Sequence, residues 1–142
     1  MMQHAIKMAK EAKGEIPVGA VIVCQGEVIA SAFNNKEQNN DVSAHAEILA
    51  IREASKKLGR WRLDDCEMYV TLEPCPMCAW AILQARLKAV YFGSYDINYG
   101  ALGSFIDLRQ VANSNLKVYG GIREDECNRI LKKYFAQMRS IG

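Results

Sequence analysis

Apolar positions change their period several times along this chain, and each change marks an element. Residues 2–12 place Ile6, Met8, Ala9 and Ala12 at near-helical spacing, and Gly14 and Pro17 then punctuate before a β-rich run over 18–24. Gln25-Gly26 separates that run from a second one over 28–33, which predicts a hairpin whose tight turn uses Gly26. Residues 34–42 have loop composition, with Asn34, Asn35, Asn39, Asn40 and Asp41. A helix is predicted from Ser43, its cap, with Ile48, Leu49, Ile51 and Leu58 along one side and Arg52, Glu53, Lys56 and Lys57 towards water. Gly59 closes it.

Residues 67–72 read as a strand, Pro76 suits the first turn of a helix running to about Arg86, and 89–93 read as another strand. The stretch 94–116 is rich in Gly, Asn and Asp with short apolar islands, the composition of an active-site loop with one helical turn. A short strand over 117–119 and a final helix over 123–139 complete the order. Strands alternating with helices after an initial hairpin predict an α/β fold, a three-layer α/β/α sandwich around one mixed sheet of about five strands.

Composition narrows the setting. At 142 residues and 15.9 kDa, with 50% hydrophobic and 24% charged residues, the chain has apolar material for one core, so a single domain over 1–142 is expected. No apolar run approaches the roughly 18 residues that span a bilayer, and residues 1–13 read as an amphipathic start instead of a signal peptide, which predicts a cytoplasmic protein without a membrane role. The formal charge of +2 decides little between a small metabolite and an RNA as substrate. Basic residues do cluster, Lys56, Lys57, Arg60 and Arg62 at one helix end and Arg129, Lys132, Lys133 and Arg139 at another.

The chemistry lies in two fragments thirty positions apart, His45-Ala46-Glu47 and Pro74-Cys75-Pro76-Met77-Cys78. His45, Cys75 and Cys78 supply three zinc ligands, and Glu47 is a carboxylate beside them. One His and two Cys leave a coordination position for water, as hydrolytic zinc sites require, whereas a structural zinc is closed by a fourth side chain. Cys75 and Cys78, three apart at a helix start, place both sulfurs over one face of its first turn, where the helix N-terminus favours thiolates. His45 and Glu47 are two apart and share no helix face, so they serve one water only if the site sits at a helix end. Two helix N-termini converging on one zinc is the geometry that follows. Glu47 is then the general base and acid of the reaction. The remaining cysteines, Cys24, Cys66 and Cys127, are expected to be reduced core residues.

H-x-E followed by P-C-x-x-C is the signature of zinc nucleobase deaminases. Beyond it, Ile16-Pro-Val-Gly-Ala-Val, Tyr69-Val-Thr-Leu-Glu-Pro-Cys, Phe92-Gly93 with Asp96, Gly100-Ala-Leu-Gly-Ser104 and Tyr134-Phe135 resemble the bacterial tRNA-specific adenosine deaminases, within the cytidine-deaminase-like superfamily, over nearly the whole chain. The resemblance implies zinc-dependent conversion of adenosine to inosine at the wobble position of a tRNA anticodon, typically of an arginine tRNA, by a homodimer with one zinc per subunit. It also implies substrate-binding roles for three residues: Asn34 on the target base, Asp96 on a flanking nucleotide, and Phe135 packed near flanking bases. Two positions depart from the family pattern, since Trp80 stands where a small residue is usual and Ile97-Asn98-Tyr99 lacks a lysine often found after the loop Asp. Two other readings share these residues: a deaminase of a free base such as guanine or cytosine, and a zinc-stabilised binding module in which Cys66 or His4 closes the coordination.

Overall fold

The structure is a computed structural model and describes residues 1–141. Its sheet grows from the hairpin. β1 (Gly19–Cys24) and β2 (Glu27–Phe33) pair antiparallel, and the link between them, Gln25 at φ 51° and Gly26 at φ 80°, has both central residues in the left-handed region, as a type I′ turn demands. β3 (Cys66–Leu72) joins β1 antiparallel, and β4 (Ala89–Ser94) and β5 (Lys117–Tyr119) follow parallel, in the order β2-β1-β3-β4-β5. The mixed five-stranded sheet of the sequence reading is therefore present. The antiparallel share is larger than the hairpin alone, because β1 is antiparallel to both its neighbours.

Alternation along β1 divides the core. Ala20 and Ile22 point into a cluster with Met68, Val70, Val90 and Phe92, while Val21 and Val23 point to the other face, against α1 (Met2–Ala9) and Cys127 of α6 (Glu124–Ile141). The first cluster is closed by α3 (Ala46–Leu58) and α4 (Pro76–Gln84), which makes three layers, α/β/α. α1 lies so close to β1 that a Cβ on Gly19 would stand 2.0 Å from the Ala5 carbonyl oxygen.

Several local expectations are corrected. α1 ends at Ala9, before Ala12, and α4 ends at Gln84, with Arg86 at φ 66°. The buried stripe of α3 is Ala46, Glu47, Ala50 and Ala54, with Leu49, Ile51 and Leu58 partly buried around it. Small side chains there let the helix approach the sheet closely. Within the supposed loop, α2 (Lys36–Asn39) forms one turn, because the buried Glu15 carboxylate accepts the Lys36 and Glu37 N–H groups at 2.8 and 3.2 Å. The stretch after β4 holds its predicted helical turn, α5 (Leu108–Ala112), capped by Asp107. No helix among the described residues is long and apolar enough to cross a membrane.

Candidate active site

α3 and α4 start at the same place. The residue preceding each helix is a candidate ligand, His45 before Ala46 and Cys75 before Pro76, so the sequence-based geometry of two converging helix N-termini holds, with His45 one step outside its helix and not in the first turn. Ser43 is not the cap of α3. Its N–H and hydroxyl are taken by Asp41 at 2.9 and 2.7 Å, and the first helical N–H, of Ala46, is instead bonded by Asn34 Oδ1 at 2.8 Å. A cap delivered from twelve residues upstream ties the β2 end to the ligand-bearing turn.

His45 Nδ1 lies 3.8 Å from Cys75 Sγ and 3.4 Å from Cys78 Sγ, and all three donor atoms fall within 4.8 Å of one another. Tetrahedral zinc, with bonds of about 2.3 Å to sulfur and about 2.0 Å to nitrogen, separates such donors by roughly 3.6 Å. The donor set therefore fits zinc in both chemistry and spacing. A fourth protein ligand is not among the described residues of this group: Cys66 belongs to a separate cluster with Cys24 and Asp65, and His4 Nε2 pairs with Ser31 Oγ at 3.1 Å. That removes the closed, structural coordination from the readings of the sequence.

Protons are already unevenly shared here. The Cys75 thiol is pulled down to about 4 by hydrogen bonds from Cys78 and His45, the first being the larger, whereas Cys78 is pushed up by its bond to Cys75 and by burial. His45 is raised, chiefly by its bond to Cys75. A cation entering this triangle meets a thiolate at the outset. Glu47, 4% exposed, is pushed up to about 7, mainly by burial, with the Cys75 thiolate adding to the rise; its own backbone N–H and the Cys78 thiol act in the opposite sense. A carboxyl in that range can both accept and return a proton near neutral pH.

The remaining sequence-selected residues lie outside the donor triangle. Half-buried Asn34 uses Oδ1 on Ala46 N and Nδ2 on the Ile16 carbonyl at 2.9 Å, so it is held rigidly beside the helix that carries His45 and Glu47. The Asp96 carboxylate accepts from Asn98 N and Tyr99 N, both at 3.1 Å, and shapes the exposed turn that displays Ile97 and Tyr99. Phe135, 42% exposed on α6, faces a groove of about 560 Å³ together with Tyr95, Asn128, Leu131, Lys132 and Arg139. The two basic clusters part company here: Lys132 and Arg139 line this groove, whereas Arg60 and Arg62 are paired with Asp64 and Asp65.

One residue escaped the sequence reading. Glu73, 2% exposed and two positions before Cys75, accepts from Asp96 N at 3.1 Å, Leu102 N at 3.3 Å, Ser104 N at 3.0 Å and Ser104 Oγ at 2.5 Å. It thereby anchors the loop after β4 to the strand end that leads into the cysteines. Its signals in the sequence were a carboxylate at the end of a largely apolar strand and its place in the Tyr69–Cys75 segment that carries the resemblance.

Residues 1–94 match the family model for the cytidine and deoxycytidylate deaminase zinc-binding region. The chain is 46% identical to the tRNA-specific adenosine deaminase of Bacillus subtilis (strain 168), over 97% of this chain and 88% of that one. Among solved structures, one from a study of A-to-I editing by tRNA:A34 deaminases at the wobble position of transfer RNA superposes with a TM-score of 0.85 at 42% identity, covering 92% of this chain and 97% of that chain. A guanine deaminase from Bacillus subtilis superposes with a TM-score of 0.64 at 36% identity, over 79% of this chain and 87% of that one.

Proposed function

Because this chain belongs to the cytidine and deoxycytidylate deaminase family with its zinc-binding region, we propose that it converts adenosine to inosine at the wobble position of a tRNA anticodon by hydrolytic deamination. The observation that carries the proposal is the donor triangle of His45, Cys75 and Cys78 with buried Glu47 beside it. Bound there, zinc supplies Lewis acidity that makes a water nucleophilic at neutral pH. Glu47 takes a proton from the attacking water and delivers it to ring N1 as oxygen bonds to C6. A second proton, taken from the new C6 hydroxyl and passed to the exocyclic nitrogen, lets the C6–N bond break as the C6 carbonyl forms, and ammonia leaves with inosine as product.

The substrate side of the proposal rests on the relatives named above and on the exposed surface. Asn34 meets the target base, Asp96 orders the turn that meets a flanking nucleotide, and Phe135 stacks on a flanking base with Lys132 and Arg139 near phosphates. An anticodon loop suits this surface, since its bases are unstacked and enter a pocket at low cost. Turn residues Ile97, Asn98 and Tyr99 bring no cation, so the positive charge of the RNA surface falls to α6. The finer reading is an arginine tRNA as substrate, a cytoplasmic homodimer, one zinc per subunit, and residues 1–142 acting as one domain. Trp80, 43% exposed on α4 and lining a groove with Arg86 and Asn113, belongs to the dimer surface in this reading.

The test is mass-spectrometric detection of inosine after incubation of the zinc-loaded protein with an arginine-tRNA anticodon stem-loop bearing wobble adenosine, and separately with free adenosine, guanine and cytidine. Inosine from the stem-loop alone, lost in Glu47→Ala, is the expected result. Turnover of guanine with an untouched stem-loop would replace this reading with that of the guanine deaminase relative.

A further inference from the structure

At the far end of the sheet, Cys24 and Cys66 face each other across the antiparallel β1–β3 pair, so their side chains leave the same face. Asp65 precedes Cys66 and straddles both sulfurs. Cys24 Sγ lies 3.5 Å from Asp65 Oδ2, and Cys66 Sγ lies 3.5 Å from Asp65 Oδ1. One donor atom of each residue falls within 4.8 Å of the other two, as in the His45 group. Cys66 begins the seven-residue β3, whose other end leads into Glu73 and Cys75, so the two groups stand about 20 Å apart along the strand. The deamination chemistry does not use any of these three residues.

We propose that Cys24, Asp65 and Cys66 form a second metal site, suited to a thiophilic divalent cation such as zinc or cadmium, with water completing the coordination. Two sulfurs and one carboxylate oxygen are a soft, anionic donor set of the kind these cations take. Each sulfur lies 3.5 Å from a different oxygen of the carboxylate, close to the edge of a tetrahedron with bonds of about 2.3 Å to sulfur and about 2.1 Å to oxygen, and one donor atom from each of the three residues lies within 4.8 Å of the other two. Charge balances as well. Two thiolates and the carboxylate carry three negative charges, Arg60 at 2.7 Å from Asp65 Oδ1 offsets one, and a divalent cation neutralises the remaining two.

Arg60 does not block entry, because it also reaches Asp64 at 3.7 Å and leaves Asp65 Oδ2 to the cation. Access is graded across the site: Asp65 is exposed, Cys24 half-buried and Cys66 buried. Without metal the Cys66 thiol is pushed up to about 12, first by burial and then by Cys24 and Asp65, so it stays protonated and unreactive. Binding releases the two thiol protons to solvent, and the cation replaces them as the partner of both sulfurs.

The experiment strips the protein with a chelator under reducing conditions, reloads it with excess cadmium, desalts it, and counts metal per chain by mass spectrometry. Expected are two cadmium ions per chain in the wild type and one in both Cys24→Ser and Asp65→Asn, with unchanged circular dichroism. Asp65→Asn keeps the proposal testable if the strand substitution fails to fold, since Asp65 lies at the surface. A wild-type count that Cys24→Ser and Asp65→Asn both leave unchanged would overturn it. So would loss of two hydrogens by the Cys24–Cys66 pair on mild oxidation with a disulfide reagent that leaves cadmium uptake unchanged. The count is read without any substrate, so it stands or falls apart from the deaminase reading.

Discussion

Glu47 and Glu73 are both buried, at 4% and 2% exposure, and both adjoin the cysteine-bearing turn, yet the molecule uses them oppositely. Glu73 accepts four hydrogen bonds drawn from Asp96, Leu102 and Ser104, and Gly100 packs against it so tightly that a Cβ there would stand 2.4 Å from its carboxyl carbon. Every lone pair is committed, and the loop is fixed as a result. Glu47 is favoured as a carboxylate by its own backbone N–H, by His45 and by the Cys78 thiol, yet burial outweighs them and pushes it up to about 7. A buried acid with saturated bonding is a fastener; one whose burial outweighs its bonds, beside a metal triangle, is a proton carrier.

Replacement of each carboxyl by its amide isosteres separates the two roles. Glu47→Gln is expected to keep zinc, measured as metal per chain, and to lower the stem-loop deamination rate by about 10²–10⁴-fold, the usual share of general acid–base catalysis. Retained turnover would erase the distinction between the two acids. In the metal-free protein the same substitution acts in the other direction. Glu47 has a folded value near 7 against 4.5 when unperturbed, so its contribution is fully present below pH 4.5 and is lost as pH rises through 7. Metal-free Glu47→Gln should thus gain on the metal-free wild type as pH rises from 4.5 to 8, by up to about 3 kcal/mol in denaturant unfolding. A gap that does not change with pH would show that burial does not govern this group.

Glu73→Gln is expected to leave zinc content and proton chemistry alone while costing about 2 kcal/mol of stability, because an amide NH₂ then faces N–H donors it cannot serve. In a chain of 142 residues that is a melting-temperature loss of roughly 6 °C. Protease cleavage in the 96–104 loop should rise with it, as the loop loses its anchor. A variant with wild-type melting but no turnover would move Glu73 into the catalytic machinery.

How much of this was legible depended on whether the partners are close in sequence. The hairpin was, since Gln25-Gly26 supplies both left-handed turn positions by itself. The zinc triangle was too, although its fragments stand thirty positions apart, because each carries a motif of its own, Cys75–Cys78 at three-residue spacing and His45-Ala46-Glu47. What failed was non-local. α2 looked like loop because the acceptor that holds it is Glu15, some twenty positions upstream. Ser43 looked like the cap of α3, but Asp41 claims it and Asn34 does the capping. Glu73 lay within the Tyr69–Cys75 segment of the resemblance but gave no role, because its donors are scattered over residues 96–104. Cys24 was expected in the core with Cys66 and Cys127, yet it is half-buried at a strand end, where only the β1–β3 register brings it to Cys66.

Asn34 lies between the two glutamates in kind, and it gives the smallest and most discriminating effect. Like Glu73 it is tied down, with Oδ1 on Ala46 N and Nδ2 on the Ile16 carbonyl; like Glu47 it borders the ligand-bearing helix start. If its work is capping alone, Asn34→Ala costs about 1 kcal/mol, and turnover follows only the fraction of folded protein. If it also meets the base, as proposed, KM for the stem-loop rises while zinc content stays at the wild-type value. Asn34→Asp separates these further, because aspartate preserves the oxygen that caps Ala46 and removes the NH₂ donor. Because Nδ2 also donates to the Ile16 carbonyl, aspartate sets an acceptor oxygen against that carbonyl, so a stability loss of about 1 kcal/mol with a raised KM at unchanged zinc content is the expected result for Asn34→Asp, measured by thermal unfolding and steady-state deamination of the same stem-loop. An unchanged KM in both variants would make Asn34 a second fastener, alongside Glu73, and leave Glu47 alone on the reactive side of the comparison.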